Sequence, residues 1–384
     1  MSFIPRPYQT EAIERGVEFF HAKKQFNAFE ILPTGSGKSV VIANVAMGLP
    51  GRPIVFQPSK EILEQNFRKF TSYGYRAGIY SASAGHKFID KITFATIGSV
   101  IKKQHLFRDV EHIIIDECHL VNAKGGMYQE FINGLPHAKA LGLTATPYRL
   151  TSSMEGAQLK FINRTNPRIF NKCVYYIQNN TLFDAGHLAK LEYWDKTVID
   201  RTMLQLNSTG TDFTDASLRS YYRKIDMPSK TIEFANRLLA KRKNLLVFCS
   251  LIDEAKEVAK GIPGAVVVTG DTLPSERSRI LTQFKSGTIR CVINVGVLTT
   301  GFDYPELEAV LLARSTMSLA LYYQIVGRAM RPHPEKESAW IVDLGGNYNY
   351  FGKIETMKIK EDDKGKLSIW NNGKQLTNVN FTKN

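Results

Sequence analysis

Short apolar segments alternate with longer segments of helical periodicity along most of the chain. Inside the apolar segments β-branched residues are common and polar residues do not alternate with apolar ones, which is typical of strands buried on both faces. The segments predicted as strands are Ala28–Leu32, Pro53–Phe56, Ile92–Ala95, Ile113–Ile115, Ala140–Leu143, Asn244–Cys249, Ala265–Val268, Arg290–Asn294, Ala309–Leu312 and Trp340–Val342.

Amphipathic or mixed segments of helical length separate these predicted strands. They are Lys38–Met47, Lys60–Tyr73, Asp253–Lys260, Glu276–Lys285 and Ser318–Met330. Such alternation predicts parallel sheets covered by helices, and two series of strands predict two α/β domains. We therefore expect one domain over residues 1–170 and a second over residues 171–345.

Two other regions depart from the alternation. Residues 208–215 are polar and are expected to form a loop or linker, within a polar region near residues 201–226. Near the C-terminus, an alternating segment contains Asn372-Gly373, a dipeptide that favours a hairpin turn. Residues 346–384 are predicted to be a short β-rich appendage. We favour packing as its role over a wedge or a clamp for DNA.

The composition indicates the class of protein and the charge of the partner that it would bind. Of 384 residues, 43% are hydrophobic and 22% are charged, which is typical of a soluble globular protein. No apolar run is long enough to span a bilayer and no secretory signal is visible, so we expect a cytoplasmic protein without a membrane partner. Lysine and arginine total 50 against 36 acidic residues, and this net charge of +14 favours a polyanionic partner.

The segment LPTGSGKSVV, residues 32–41, connects a predicted strand to a predicted helix. Backbone N–H groups at the start of that helix can hold phosphates, Lys38 adds a positive charge, and Ser39 supplies a Mg²⁺ ligand. Leu32 stands where G-x-x-x-x-G-K-[ST] has its first glycine, so the pattern is incomplete. Its context still favours a nucleotide site over a glycine-rich turn without function. The predicted phosphate-binding residues are Pro33, Thr34, Gly35, Ser36, Gly37, Lys38 and Ser39.

Two acids end a predicted buried strand in the segment IIIDECHL, residues 113–120. A nucleotide site of this kind needs a metal-holding aspartate beside the phosphates. We expect Asp116 to bind Mg²⁺ through its waters and Glu117 to orient the attacking water. A zinc site at Cys118 and His119 is the alternative, but no other cysteine or histidine pair has suitable spacing. We expect Cys118 to pack and His119 to couple hydrolysis to domain movement.

Two further segments carry candidate chemistry. Thr144 and Thr146, in LTATP, end the last strand of the first series and are expected to link the nucleotide site to the second domain. In the second series, Arg328 and Arg331 lie three residues apart, on one face of a predicted helix. Paired arginines suit a phosphate, and opposite a phosphate loop they are typical of arginine fingers; a solvated helix face is the alternative.

In these residues the chain resembles the superfamily 2 helicases and translocases, which contain two tandem RecA-like domains. The likeness covers about residues 5–345 and is closest to RadD-type bacterial DNA repair helicases; XPB-like and type I restriction motors are more distant. The matching segments are RPYQ (6–9), GSGKS (35–39), DECH (116–119), TATP (144–147), TTGFD (299–303) and QIVGRAMR (324–331).

The resemblance implies roles for further residues. It implies adenine recognition by Gln9 with Arg6, nucleotide contacts from Gly301 and Asp303, and a place for Gln324 near the γ-phosphate or His119. It also implies contacts with the nucleic-acid backbone, which hydroxyl, amide and lysine groups make without reading bases. The residues expected to make them are Ser59, Lys60, Thr96, Ser99, Ser250, Thr269, Gly270 and Thr300.

These observations predict an ATP- and Mg²⁺-dependent DNA helicase or translocase acting on forked or branched DNA as a monomer. An RNA helicase is one alternative, although DEAD-box RNA helicases have aspartate at the position of His119. A nucleotide-gated clamp that binds nucleic acid without unwinding it is another. The cysteine-rich C-terminal zinc region of RadD-type proteins has no counterpart among the four cysteines. A compact motor without that region also suits a phage or mobile-element protein, and we expect it in the cytoplasm of a bacterial cell or a phage-infected host.

Overall fold

The computed structural model describes residues 4–153, 156–299 and 301–379. The chain divides into two compact units. The first contains the residues up to Arg149 together with Lys160–Ile177, and the second contains Leu150–Leu159 and the residues from Gln178 onward. Each unit is built on a sheet of mainly parallel strands with helices between them, which confirms the predicted α/β class.

The first unit contains an eight-stranded sheet in the order β10-β1-β7-β6-β2-β5-β3-β4. All its neighbouring strands run parallel except β3 and β4. Its strands are β1 (Ala28–Ile31), β2 (Ile54–Phe56), β3 (Gly78–Ser81), β4 (His86–Lys87), β5 (Thr93–Ala95), β6 (His112–Asp116), β7 (Lys139–Thr144) and β10 (Lys172–Tyr176). Its α-helices are α1 (Pro7–His21), α2 (Lys38–Gly48), α3 (Lys60–Ser72), α4 (Ile97–Val100) and α5 (Met127–Asn133). Short 3₁₀ helices cover Ile101–Phe107, Cys118–Leu120 and Ile162–Arg164. A two-stranded hairpin, β8 (Tyr148–Ser153) and β9 (Gly156–Phe161), begins and ends at the border of the two units.

The second unit contains a six-stranded parallel sheet in the order β11-β16-β15-β12-β14-β13 and a small three-stranded sheet. Its strands are β11 (Leu191–Asp195), β12 (Leu245–Cys249), β13 (Val266–Val268), β14 (Cys291–Asn294), β15 (Ala309–Ala313), β16 (Ala339–Asp343), β17 (Lys358–Glu361), β18 (Leu367–Asn371) and β19 (Lys374–Gln375). Its α-helices are α6 (Asn179–Asp184), α7 (Asp215–Lys224), α8 (Met227–Leu239), α9 (Ile252–Lys260), α10 (Pro274–Lys285), α11 (Leu319–Gly327) and α12 (Asn347–Phe351). A 3₁₀ helix covers Arg201–Met203.

The central strands form the cores of both units. Every residue of β1, β6 and β7 is buried, as is every residue of β12 and β15. Helices cover both faces of such a sheet, so the side chains of these strands are mainly apolar on both faces rather than alternating. Removing this area from water, at about 25 cal/mol per Å², is the main favourable term in folding.

Strand order brings the predicted motifs of the first unit together. β1, β7 and β6 are neighbours in the sheet and run parallel, so their carboxyl ends meet at one edge. The phosphate-loop segment follows β1, Thr144 ends β7 and Asp116 ends β6. Ligand sites in open α/β sheets form at this edge.

One predicted boundary differs from the structure. The predicted domain boundary at 170/171 precedes β10, yet β10 pairs with β1 and so belongs to the sheet of the first unit.

The polar segment 208–215, predicted as a loop or a linker, lies inside the second unit. It is a loop whose Phe213 is buried in the core, and α7 follows it directly. Its polar composition hid that apolar contact.

The C-terminal appendage contains the predicted hairpin. Asn371 pairs with Lys374, and the two residues between them have positive φ angles of 47° (Asn372) and 77° (Gly373). These angles are those of a type I′ turn, which matches the twist of two antiparallel strands. Among the described residues, no helix is both long and apolar enough to cross a bilayer.

Glu254 gives the second unit a pH-dependent stability. It lies in the first turn of α9, where burial raises the pKa of its carboxyl to about 8 against the opposing effect of the Leu251 and Ser250 N–H groups. A raised carboxyl pKa favours the neutral form, so stability is fully present below pH 4.5 and is lost as pH rises toward 8.

We therefore expect Glu254→Gln to raise the melting temperature at pH 8 by about 2–8 °C and to change it little at pH 5. Tryptophan fluorescence would follow this unit, because all three tryptophans of the chain, Trp194, Trp340 and Trp370, belong to it. Glu337→Gln, the same change at an exposed position of this unit, serves as the control. Equal shifts at both pH values would contradict the assignment.

Candidate nucleotide and nucleic-acid site

The phosphate-loop segment forms an open turn at the start of α2. Gly35 and Gly37 have φ angles of 85° and 81°, which a side chain would strain. A Cβ atom at Gly37 would also lie 2.5 Å from the Gln9 amide nitrogen. Lys38 and Ser39 occupy the first turn of α2, where the helix N-terminus favours an anion.

The predicted adenine-binding residues contact this turn directly. The Gln9 amide donates a hydrogen bond to the Ser36 carbonyl at 2.8 Å and accepts one from the Arg6 backbone N–H at 2.9 Å. Tyr8, which the sequence did not single out, donates to the same Ser36 carbonyl at 2.7 Å. Its position next to Gln9, in the first turn of α1, was the available signal.

Asp116 is a buried carboxylate at the carboxyl end of β6. Its two oxygens accept hydrogen bonds from the Glu117 backbone N–H at 3.0 Å and from the Asn66 amide at 3.3 Å. Burial, and secondly the charge of Glu117, raise the pKa of Asp116 to about 7. Asn66 lies on α3 and its amide also donates to Gln57 Oε1 at 2.9 Å. These two hydrogen bonds hold the amide beside Asp116. Neither amide was predicted.

Glu117 has an unusual backbone with φ 51° and ψ 48°, the left-handed region that few residues other than glycine adopt. This turn directs its carboxylate toward α2, where the Lys38 Nζ lies 3.4 Å from Oε1. Burial opposes ionisation, but Lys38 and His119 outweigh it and hold the pKa of Glu117 below its ordinary value. Glu117 is therefore an ionised acid beside the phosphate loop.

His119 connects Glu117 to the end of β7. Its Nδ1 lies 3.3 Å from Glu117 Oε2, 2.8 Å from Thr144 Oγ1 and 3.3 Å from Thr146 Oγ1. The Thr146 N–H donates to Thr144 Oγ1 at 3.0 Å and fixes the turn after the strand. Five predicted residues, Lys38, Glu117, His119, Thr144 and Thr146, thus form one contact chain across three neighbouring strands.

The oxygen donors at this edge fit Mg²⁺ better than zinc. Asp116 and Ser39 offer hard oxygen ligands beside a phosphate loop, the combination in which Mg²⁺ keeps several waters. Among the described residues, no group of three or more His, Cys, Asp or Glu side chains is placed to hold a metal ion. Cys118 is buried under β7, where a Cβ on Gly142 would lie 2.6 Å from its Sγ, and burial raises its pKa.

We expect Cys118→Ala to keep most of the ATPase activity, because the thiol packs against β7 and does not reach the phosphate loop. Elemental analysis of the purified protein should show no stoichiometric zinc. His119→Ala serves as the comparison, since it removes the contacts of the imidazole with Glu117, Thr144 and Thr146 and should lower activity. Zinc bound at one equivalent, or equal losses in the two variants, would contradict this reading.

The second unit places its predicted nucleotide residues against one another. Asp303 Oδ1 lies 3.0 Å from Arg331 Nε, and Arg328 donates to the Phe302 carbonyl at 2.6 Å. Gly301 begins this segment with φ 73°. Gln324 lies on α11 and its backbone carbonyl accepts from Arg328 Nε at 3.2 Å.

The prediction that both arginines lie on one helical face is wrong. α11 ends at Gly327, so Arg328 caps the helix and Arg331 lies beyond it. After Gly327 the backbone N–H groups of Arg328, Ala329 and Met330 bond to carbonyls three residues back, so the α-helix gives way to turns. The two guanidinium groups still meet at one place, the Phe302–Asp303 segment.

Lys336 is a further residue that no motif indicated. It is 7% exposed, and its ammonium donates to the carbonyls of Pro305, at 2.5 Å, and Ala329, at 3.1 Å. It therefore ties the segment after Asp303 to the segment that carries the arginines. Burial lowers its pKa to about 8.

The candidate nucleic-acid residues of the first unit follow β2 and β5. Ser59 caps α3 by accepting from the Ile62 N–H at 3.3 Å, and Lys60 lies 3.6 Å from Glu64 at the surface. Thr96 and Ser99 are 3.0 Å apart through their hydroxyls, and both begin the turn after β5. They lie at the same carboxyl edge of the sheet as Asp116.

The corresponding residues of the second unit follow β12 and β13. The Ser250 hydroxyl lies 3.3 Å from the Tyr222 hydroxyl, and the Thr269 hydroxyl accepts from the Asp271 N–H at 3.2 Å. Gly270, between Thr269 and Asp271, has open space where a Cβ atom would lie. Thr300 lies outside the described residues. Their predicted contacts with nucleic acid stay predictions.

Two family models match the chain. Residues 2–149 match the type III restriction enzyme res subunit, and residues 229–333 match the helicase conserved C-terminal domain. The first range includes the phosphate loop and the chain of contacts from Lys38 to Thr146, and the second includes both arginines.

Similar proteins include several helicases. A 51.5 kDa protein of a Lactococcus phage is 26% identical, over 84% of this chain and 67% of its own length. The ATP-dependent DNA helicase uvsW of phage T4 is 23% identical, over 88% of this chain and 68% of its own length. The DNA 3'-5' translocase XPB2 of Sulfurisphaera tokodaii is 23% identical, over 85% of this chain and 78% of its own length. The chain spans only about half of other relatives, such as 52% of IRC3 from Saccharomyces cerevisiae.

Solved structures share the fold. The ATP-dependent type ISP restriction-modification enzyme LlaBIII bound to DNA has a TM-score of 0.64 at 17% identity, over 90% of this chain and 28% of its own. S. cerevisiae Dbp5 bound to RNA and ADP BeF3 has a TM-score of 0.60 at 16% identity, over 91% and 88%. The paired family models and the helicase relatives show that the chain belongs to the superfamily 2 helicases, and the shared fold agrees with two RecA-like domains.

Proposed function

We propose that the chain is an ATP- and Mg²⁺-dependent DNA translocase or helicase that acts on forked or branched DNA. The observation that carries this proposal is the contact chain from Lys38 through Glu117 and His119 to Thr144. It joins a phosphate-binding lysine to an ionised acid and then to the end of a neighbouring strand. Such a chain suits an ATPase whose site responds to movement of its surroundings.

Each site residue of the first unit has a proposed role in ATP binding or hydrolysis. Backbone N–H groups of residues 34–38 and the Lys38 ammonium bind the phosphates, and Gln9 with Arg6 binds the adenine. Asp116 and Ser39 would hold Mg²⁺, which shields phosphate charge when bound. Glu117 orients the attacking water. His119 contacts Glu117, Thr144 and Thr146 and so couples the nucleotide site to the end of β7.

The second unit supplies the proposed arginine fingers. Arg328 and Arg331 act on the γ-phosphate of the ATP bound by the first unit, with Gln324, Gly301 and Asp303 in support. Hydrolysis then requires the two units to act together, which is how a change in nucleotide state becomes movement along a strand. The residues after β2, β5, β12 and β13 grip the strand through its phosphates.

DNA is the proposed substrate, and the cytoplasm of a bacterial cell or a phage-infected host is the proposed location. The net charge of +14 supports a nucleic-acid partner, and the relatives named for DNA support DNA over RNA. We propose that the protein acts as a monomer. RNA unwinding, and clamping without unwinding, are the outcomes against which the proposal is tested.

Strand displacement on matched substrates tests this function. The protein with ATP and Mg²⁺ should separate or remodel a forked DNA duplex, and should do so less on a blunt duplex and on an RNA fork of the same sequence. Glu117→Gln protein is the control for displacement without turnover. Equal activity on the RNA fork would contradict the DNA assignment, and binding without displacement in the presence of turnover would favour the clamp.

A further inference from the structure

A groove opens in the second unit between the C-terminal half of α8 and two strands at the edge of its sheet. β11 is the last strand of that sheet and, among the described residues, pairs only with β16. The cavity has a volume of about 320 Å³. The apolar side chains that line it are Trp194, Phe234, Leu238, Ala240, Trp340 and Val342.

The groove exists because α8 packs over the middle of the sheet. The helix packs against β12 and β15, and the strands β16 and β11 extend beyond it. Trp194 and Val342 are paired in register, so their side chains lie on the same face. Trp194 is 44% exposed and its ring lies 5.5 Å from that of Trp340. A concave apolar surface of this kind is typical of a docking site.

The sides of the groove are positively charged. Lys196, Arg237 and Lys241 line it, and no aspartate or glutamate is among the lining residues. The Arg242 guanidinium lies 3.9 Å from the Trp340 ring centroid. Glu233, the acid that pairs with Arg237 at 2.6 Å, offsets one of these charges. The remaining cations complement an acidic ligand.

We propose that this groove binds an acidic segment of a partner protein, which inserts one large apolar side chain against Trp194, Leu238 and Val342 while its carboxylates meet the surrounding lysines and arginines. The aromatic walls would supply most of the affinity, as buried aromatic anchors do in protein interfaces. The charges would set the choice of partner and the rate of association.

Two other occupants fit less well. A single-stranded nucleic acid needs open aromatic faces for its bases, but the Arg242 guanidinium lies over the Trp340 ring. A second copy of this chain would bring a protein of net charge +14 to a basic groove, which is unfavourable. An acidic peptide satisfies both the apolar walls and the charge.

Tryptophan fluorescence provides the test, because Trp194 and Trp340 are two of the three tryptophans. In a Trp370→Phe background, the full chain is titrated with a short synthetic peptide of glutamates around one central phenylalanine. We expect a saturable change in emission, and about tenfold weaker binding when serine replaces the phenylalanine. Lys241→Glu should weaken binding about tenfold, whereas Lys256→Glu, the same charge change on exposed α9, should alter it less than about twofold.

Several results would overturn the proposal. One is equal binding of the phenylalanine and serine peptides, or no change in emission at saturating peptide. Another is a fluorescence response to single-stranded DNA that Trp194→Ser abolishes, which would assign the groove to nucleic acid. Concentration-dependent dimers lost in Trp194→Ser would assign it to a second copy. The titration uses neither ATP nor a helicase substrate, so it stands apart from the proposed helicase activity.

Discussion

Replacing Glu117 with glutamine should lower ATP turnover by about 10²-fold or more while ATP binding is kept. The glutamine retains the shape of the side chain but cannot orient or polarise water as an ionised acid does. Lys38 lies 3.4 Å from the Glu117 carboxylate, so the change also frees Lys38 for phosphate. We therefore expect ATP affinity equal to or higher than that of the wild type.

Lys38→Ala should distinguish the binding of phosphate from the activation of water. It removes the charge that binds phosphate, so both turnover and ATP affinity should fall. Equilibrium binding of a fluorescent ATP analogue and steady-state kcat for each variant would measure this difference. Glu111→Gln, the same chemical change at the exposed amino end of β6, is the matched control. A near-normal kcat in Glu117→Gln would refute the role given to Glu117.

Arg331→Ala should abolish the stimulation of ATPase activity by DNA while ATP affinity changes little. A contact that forms only in the reactive state contributes to rate rather than to binding, and arginine fingers contribute on the order of 10³-fold or more. Arg331 now pairs with Asp303 at 3.0 Å, so its release from that acid would be part of activation.

Two controls make the arginine result specific. Arg279→Ala removes an exposed arginine from α10 and should leave both basal and stimulated rates unchanged. Asp303→Asn removes the partner of Arg331 without removing the guanidinium, so its effect should differ from that of Arg331→Ala. Arg331→Ala protein that keeps full stimulation would show that Arg331 is not a finger.

The sequence predicted the strands well because burial on both faces leaves a clear apolar pattern. β1, β6 and β12 lie within one or two residues of their predicted ranges. β10 was missed because its residues are half exposed and its pattern is weak. The end of α11 was placed too late, since apolar Ala329 and Met330 continue the periodicity although their N–H groups bond three residues back, as in turns.

The site was predicted from motifs, and its supporting contacts were not. Lys38, Asp116 and Glu117 stand in recognisable segments, so their types and order were enough. Asn66 is 50 residues away from Asp116 in the sequence, and Lys336 is 31 residues away from Pro305. Neither residue belongs to a motif. Only the fold brings them to Asp116 and to the arginine segment. The closer likeness to RadD-type proteins stays a prediction.

ATP hydrolysis with and without DNA tests the central claim most directly. The rate of the wild-type protein should rise when single-stranded or forked DNA is added, because DNA held by both units favours the reactive state. The stimulation should fall as salt increases, since the contacts are mainly to phosphate. A full rate without nucleic acid, unchanged by DNA at low salt and by the Arg331 substitution, would contradict the motor function.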